Sequence, residues 1–322
     1  MSSPLHASYQ QERAGSRAMG PILWVVAALS LRACMPYLPV PAHPVTDLAG
    51  GMLYMLVVLL MAIELGARLG ADKRLVVYSL LAAAALFAAS TAASELFAAE
   101  YMSKLAAGEI AGSPEGRLPA SLWIIGSVKD MALIVFAVLG GALLSRIARE
   151  AKLLLPIAVT VAVVDAVGVL YQGGPTAQML ERNPQLVQTF AASIPAIGAA
   201  STAASMGGVH PGLALGFIGI GDFLFLGFFF AALVRFGLNL EASRLGAIAA
   251  SLTAMALVLV AGAHLPGLPF IAAGCVVPNL KSFRYTRQEA LALAVGGLFI
   301  ILFCAVIVLF GQATRTASGE GP

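Results

Sequence analysis

The chain has 322 residues, of which 60% are hydrophobic and only 11% are charged, and its formal net charge is +3. Soluble domains carry about 25% charged residues, so this composition excludes a soluble globule and predicts a membrane protein in contact with the lipid bilayer. The small, dispersed positive charge argues against a nucleic-acid partner. The cysteines form no C-x-x-C pair and the histidines form no H-E-x-x-H motif, so no disulfide framework, bound metal or cofactor is expected.

Apolar runs of about 20 residues, the length that crosses the hydrocarbon layer, predict an all-α, polytopic membrane helix bundle of about nine transmembrane helices. The predicted spans are residues 21–40, 48–67, 76–98, 119–145, 153–173, 212–234, 244–263, 266–281 and 289–311. We expect four regions in the chain. They are a polar N-terminal tail (1–20), a helical scaffold of about four spans (21–145), a second membrane domain (146–311) and a polar C-terminal tail (312–322).

The connections between the predicted spans alternate in charge. Lysine and arginine cluster in four of them, at 67–75, 146–152, 235–244 and 281–288. By the positive-inside rule this alternation predicts a cytoplasmic N-terminus and a C-terminus on the outer side. The long connection 174–211 is then outside, where we expect it to lie in the interface or to act as a plug or lid. We expect a multi-pass protein of a prokaryotic cell membrane.

Charged residues interrupt two of the predicted spans. Arg32 interrupts the first, and this segment also fits a signal sequence, although we favour an uncleaved span. Lys129 and Asp130 interrupt the fourth; as neighbours they point about 100° apart on a helix, so no direct pair is expected. They are either solvated charges in a kinked or interfacial segment, or part of a polar track as in an ion-coupled transporter. Glu64 and Glu95 are expected to reach the headgroups.

Two aspartates, Asp165 and Asp222, lie within apolar stretches. A carboxylate in hydrocarbon costs roughly 2.5–3.5 kcal/mol on insertion, so each one indicates a functional site. If both spans are helical, the two carboxyls differ in depth by only about 3 Å, at a rise of about 1.5 Å per residue. Two facing carboxyls share one proton, so one can take a proton from water while the other polarises a carbonyl. This is the aspartic-protease arrangement.

Two glycines, Gly219 and Gly221, frame the second aspartate. Gly219 precedes Asp222 by three residues, which predicts that both lie on one helix face. A missing side chain there leaves room for water or a substrate backbone. The alternative is that small residues let neighbouring helices approach closely.

The segment Pro266-Gly267-Leu268-Pro269 opens the eighth predicted span on the side nearer both aspartates. Unwound backbone at membrane depth is tolerated only inside protein or along a wet cavity, and its freed groups can pair with an extended substrate. The alternative is an ordinary helix start, where proline is favoured.

Together these residues resemble the presenilin and signal peptide peptidase family of intramembrane aspartyl proteases. Gly219-Ile220-Gly221-Asp222 looks like the family's GxGD motif, Asp165 like the acid on the preceding span, and the segment 266–269 like the PAL motif, in the family's order over roughly 150–285. Val164 stands where the family usually has tyrosine, and Gly267 where it has alanine. The acids fall on predicted spans five and six rather than six and seven, and residues 1–118 carry no family motif.

The resemblance implies a presenilin-like fold, with residues 146–311 as the catalytic domain of an intramembrane aspartyl endopeptidase. Asp165 and Asp222 would form the catalytic pair. The substrate-binding residues would be Gly219, Gly221, Pro266, Gly267, Leu268 and Pro269. Its partners would be transmembrane or signal-peptide helices. A proton-coupled transporter and a catalytically inactive scaffold of the same fold are the alternatives, and a prepilin-type aspartyl peptidase, which also uses a GxGD acid, is disfavoured by the PAL-like segment.

Overall fold

The structure, a computed structural model, describes residues 20–38, 43–69, 72–107, 120–170, 191–195, 197, 214–261 and 265–318. These residues form α-helices and one small sheet. The helices are α1 (20–34), α2 (Pro44–Leu69), α3 (Lys73–Ala106), α4 (Ala120–Leu144), α5 (Leu154–Leu170), α6 (Ile220–Arg235), α7 (Leu240–Ala261), α8 (Leu268–Val276) and α9 (Arg287–Ser318). The strands are β1 (Ala191–Pro195) and β2 (Ala214–Gly219).

Six helical stretches within the described residues are long and apolar enough to cross a membrane. They are Gly20–Tyr37, Val45–Leu69, Lys73–Lys104, Ser121–Ile147, Ala151–Val169 and Leu240–Val258. This confirms a predominantly helical, membrane-spanning protein. With 16 and 9 residues, α6 and α8 are too short to cross the hydrocarbon layer alone. The count of nine spans therefore stays a prediction.

The structure describes the two predicted tails and the long outer connection only in part. Residues 1–19 and 319–322 lie outside the described part, as do 174–190, 196 and 198–211 of the long outer connection. The C-terminal helix α9 continues to Ser318, so it passes the tail boundary expected at residue 311.

The sixth predicted span (212–234) is only partly helical, contrary to expectation. Residues 214–219 form β2, which pairs antiparallel with β1, and the helix begins at Ile220. The register places Ala191 opposite Gly219 and Ser193 opposite Phe217. Glycine at 216 and 219 disfavours continuation of the helix towards the N-terminus, because glycine loses the most backbone freedom when it becomes helical. The all-α prediction is thus corrected by one two-stranded sheet.

The centre of the bundle is a close crossing of α4 and α6, with α2 packed against both. A Cβ added at Gly141 would overlap the carbonyl group of Leu224, and one added at Gly227 would overlap that of Val138. Small residues permit such backbone contact between membrane helices. The aromatic residues Phe228 and Phe229 of α6 are buried at this crossing. The crossing therefore fixes the position of α6.

The short helix α8 packs against α5, α6 and α7. Gly246 of α7 and Gly274 of α8 meet so closely that a Cβ on Gly246 would lie 2.5 Å from the Gly274 carbonyl oxygen. At the same end of α8, the Asn279 side chain donates to the Ser243 hydroxyl (2.7 Å) and to the Cys275 carbonyl (3.0 Å). These contacts fix the C-terminal end of α8 against α7.

The four basic connections lie at one end of the bundle. Three contacts join them in series: Arg244 pairs with Glu64, Arg235 donates to the Ala148 carbonyl, and Lys152 pairs with Glu289. Glu64 is 7% exposed and also pairs with Arg68 at 2.5 Å, so the expectation that it reaches the headgroups was wrong. The side of the membrane on which this end lies stays a prediction.

Candidate active site

Asp165 lies on α5 and is half-buried. Its Oδ2 accepts a hydrogen bond from the backbone N–H of Leu268, with a distance of 3.0 Å between nitrogen and oxygen. Leu268 is the first residue of α8, and the first N–H groups of a helix have no acceptor within the helix. Pro266 and Pro269 have no N–H to offer. The start of α8 therefore supplies a donor that the Asp165 carboxylate satisfies.

Asp222 lies in the first turn of α6, and its carboxyl group faces Gly267. A Cβ built on Gly267 would lie 2.9 Å from each carboxylate oxygen and 3.0 Å from Cγ. A side chain at position 267 would therefore force the Asp222 carboxyl group to shift. Gly267 is the residue against which Asp222 rests.

The structure thus brings Asp165, Asp222 and the segment 266–269 together. Two consecutive residues of that segment, Gly267 and Leu268, contact one aspartate each. The Cα atoms of such neighbours are only about 3.8 Å apart. The two carboxyl groups therefore meet adjacent residues of one short segment. Carboxyls that face each other share a proton and can act as a general acid and a general base.

Gly219 and Gly221 border open space. Among the described residues, nothing lies within 4 Å of a Cβ added at Gly221, and only the Gly221 nitrogen, at 4.0 Å, approaches one added at Gly219. No described helix packs on these glycines, so they leave room beside Asp222. The prediction that Gly219 shares a helix face with Asp222 was wrong. Gly219 has an extended backbone (φ −66°, ψ 141°), ends β2 and precedes the first helical residue.

The depth argument for the two aspartates was also based on a wrong assumption. It assumed a continuous helix through 212–234, whereas six of those residues are a strand. A strand rises about 3.3 Å per residue and a helix about 1.5 Å. The carboxyls approach each other because α8 lies between α5 and α6, and not because their residue counts match.

A second buried polar cluster was missed in the sequence. Arg32, which is 1% exposed, lies 2.5 Å from Asp130, which is 5% exposed. Both contact Ser193 of β1. Of the two alternatives left open for Asp130, solvated charges were therefore wrong. The expectation that Lys129 and Asp130 form no direct pair was also wrong, because Lys129 Nζ lies 3.8 Å from the Asp130 carboxylate. The sequence did contain a signal for this pair: Arg32 and Asp130 each interrupt an apolar span, and opposite charges inside a membrane pair with one another.

No group of three or more histidine, cysteine, aspartate or glutamate side chains that could hold a metal ion occurs within the described ranges. Comparison of the chain with family models, with curated proteins and with solved structures returned no match.

Proposed function

We propose that this protein is an intramembrane aspartyl endopeptidase with a presenilin-like, nine-span fold. It hydrolyses peptide bonds in transmembrane or signal-peptide helices. The observation that supports this most is the contact of Gly267 and Leu268 with the two aspartates. A carboxyl pair is costly in a membrane, and here both members converge on the start of α8, where Pro269 lies in the first helical turn.

In the proposed mechanism Asp165 and Asp222 hold one proton between them. The ionised carboxylate takes a proton from a water molecule as the water oxygen bonds to the scissile carbonyl carbon. The protonated carboxyl donates its proton to the carbonyl oxygen, which gives a tetrahedral diol. The diol then collapses: one of its hydroxyl groups returns its proton to the ionised carboxylate as the C–N bond breaks, and the other carboxyl group of the dyad donates its proton to the amine nitrogen. The pair is left with one proton, as at the start.

Access of a peptide bond to this pair requires local unwinding, because the backbone groups of a membrane helix are hydrogen-bonded to one another. Within the described part of the chain no side chain packs beside Gly219 and Gly221, which gives an unwound substrate room next to Asp222. An extended substrate pairs only with the remaining backbone groups of the segment 266–269, because the Leu268 N–H donates to Asp165 and the Gly267 carbonyl accepts from Phe270 and Ile271. These two features form the proposed substrate track.

The test is cleavage of a synthetic single-span peptide in detergent by wild type, Asp165→Asn and Asp222→Asn. General acid–base catalysis contributes typically 10²–10⁴-fold, so each variant is expected to lose at least about 100-fold in rate. Asp72→Asn is the matched control. Asp72 is exposed and its Oδ1 accepts from the backbone N–H groups of Arg74 (2.9 Å) and Leu75 (3.4 Å) at the start of α3, a role that asparagine fills equally well.

Undiminished cleavage by both site variants would refute the peptidase proposal. Displacement of a transition-state-analogue aspartyl protease inhibitor by substrate would support it, whereas uptake driven by a proton gradient would favour a transporter instead. A transporter would use Lys129, Asp130 and Asp165 as a relay. Asp130 is already engaged by Arg32 and Ser193, which argues against that use.

We propose further that the N-terminus is cytoplasmic and the C-terminus outside, in a prokaryotic cell membrane. The series of contacts that gathers the four basic connections at one end of the bundle supports this orientation. Labelling of single cysteines in intact cells with a membrane-impermeant reagent tests it. Labelling of the 235–244 connection from outside would contradict it.

A further inference from the structure

The ion pair between Arg32 and Asp130 binds the backbone of one strand residue, Ser193. The Ser193 N–H donates to Asp130 Oδ2 (3.1 Å), and its hydroxyl donates to the same oxygen (2.9 Å). Arg32 donates to the Ser193 carbonyl and, at 2.7 Å, to its hydroxyl oxygen. Every hydrogen-bonding group of this residue is therefore engaged by the pair.

These contacts lie on the edge of β1 that faces away from β2. Ser193 stands opposite Phe217 in the antiparallel register. In such a pair alternate residues turn both backbone groups away from the partner strand, and on an edge strand those groups lack a partner. The Arg32–Asp130 pair occupies the place that a third strand would take.

The Arg32–Asp130 pair is held in place by contacts between helices that are distant in the sequence. Arg32 and Asp130 come from α1 and α4, which are separated by 98 residues in the chain. The guanidinium group also lies 5.3 Å from the Trp123 ring centroid and 5.9 Å from that of Tyr54, distances suited to cation–π attraction. The position of β1 is thereby tied to the helical scaffold.

The sheet transmits this position to the candidate active site. Ala191 of β1 stands opposite Gly219, the last residue of β2. Gly219 is also the residue that precedes the first helical position of α6, whose first turn contains Asp222. Only two residues, Ile220 and Gly221, therefore separate the end of the sheet from Asp222, whose carboxyl group rests on Gly267.

We propose that Arg32 and Asp130 are positioning residues, which hold the β1–β2 sheet and so place the Asp222 carboxyl group for hydrolysis. This inference rests on the proposed peptidase function. A catalytic group displaced by about 1 Å can cost 100-fold in rate. Loss of the contacts to Ser193 would let the sheet, and with it Asp222, move. This lowers kcat more than it changes KM, because the substrate track itself is unaltered.

The experiment compares Asp130→Asn with Glu64→Gln, a matched control. Glu64 is also buried and pairs with arginine, namely Arg244 and Arg68, but at the basic end of the bundle, away from the sheet. Each variant removes one buried carboxylate from an ion pair; the arginine left behind is buried for Asp130 and partly exposed for Glu64. We expect Asp130→Asn to lower kcat at least 10-fold per folded molecule, and Glu64→Gln to lower kcat less than 3-fold.

Arg32→Lys is a milder second variant, because lysine keeps the charge but not the fork of donors that joins Asp130 to the Ser193 carbonyl. It covers the case in which Asp130→Asn does not fold. We expect it to melt close to wild type and to show an intermediate kcat. Equal kcat losses in Asp130→Asn and Glu64→Gln, or unchanged kcat in Arg32→Lys, would overturn the proposal.

Amide hydrogen exchange supplies a readout that does not depend on cleavage. In Asp130→Asn and Arg32→Lys, exchange in peptides that cover 191–195 and 214–219 is expected to rise at least 10-fold, with little change in α7. Unaltered protection of these strands would overturn the positioning role even if wild type cleaves. A wild type that cleaves nothing would refute the peptidase function alone, and the exchange data would still decide whether the pair holds the sheet.

Discussion

The structure and the resemblance to the presenilin family predict opposite effects of replacing Gly267 by alanine. Alanine is the residue that the PAL motif has at this position, so the resemblance predicts that Gly267→Ala is neutral or improves activity. In the structure the added Cβ would lie 2.9 Å from both Asp222 carboxylate oxygens. We expect the variant to be folded and impaired.

The magnitude follows from two quantities. An ordinary carbon–oxygen contact begins near 3.4 Å, so the Asp222 carboxyl group must move by about 0.5 Å to relieve the overlap. Because a displacement of about 1 Å can cost 100-fold in rate, we expect a loss of about 10-fold. The backbone at Gly267 (φ −80°, ψ −37°) suits any residue, and loss of glycine's freedom in the unfolded chain stabilises by about 0.4–1 kcal/mol. The lower rate should therefore come without a lower melting temperature.

The assay measures initial rates of peptide cleavage in detergent together with thermal melting. Gly126→Ala is the matched control, since nothing described lies within 4 Å of a Cβ added at that helical position. A Gly267→Ala protein that cleaves at the wild-type rate or faster would refute the inferred contact between position 267 and the Asp222 carboxyl group.

Three further predictions concern the scaffold and the site. Gly141→Ala forces a Cβ into the Leu224 carbonyl, which no side-chain rotation relieves, so it should lower the free energy of unfolding by about 1–3 kcal/mol in a melting assay. The neighbouring variant Gly140→Ala, with nothing described within 4 Å of the added Cβ, should melt like wild type. Equal melting of the two variants would contradict the α4–α6 crossing. Glu64→Gln leaves two arginines of the basic end without their acid and should lower the melting temperature, whereas Glu100→Gln, in an exposed pair, should melt like wild type. Cleavage should fall on both the acid and the alkaline side of an optimum, because the dyad works with one shared proton; a rate that rises monotonically with pH would argue against it.

Much of the candidate site was predictable from the sequence because a charge in hydrocarbon is conspicuous. Asp165 and Asp222 are costly where they stand, and a proline pair that opens a span marks unwound backbone. All three features meet in the structure. The same reasoning assumed that an apolar run is a helix throughout, and it failed at 214–219, because hydropathy alone does not distinguish a strand that pairs inside the protein from a helix.

The membrane class of the protein was determined by composition alone, because a chain with so few charges cannot cover itself with polar surface and lipid admits few folds other than helices. Only the tertiary structure decided that Leu268 donates to Asp165 across 103 positions in the chain, that Gly267 rests on Asp222, and that Arg32 pairs with Asp130. The physical reason is that hydropathy and local spacing act over a few turns of chain. Which distant groups satisfy one another depends on how the helices cross, and that is set by close contacts at glycines such as Gly141 and Gly227.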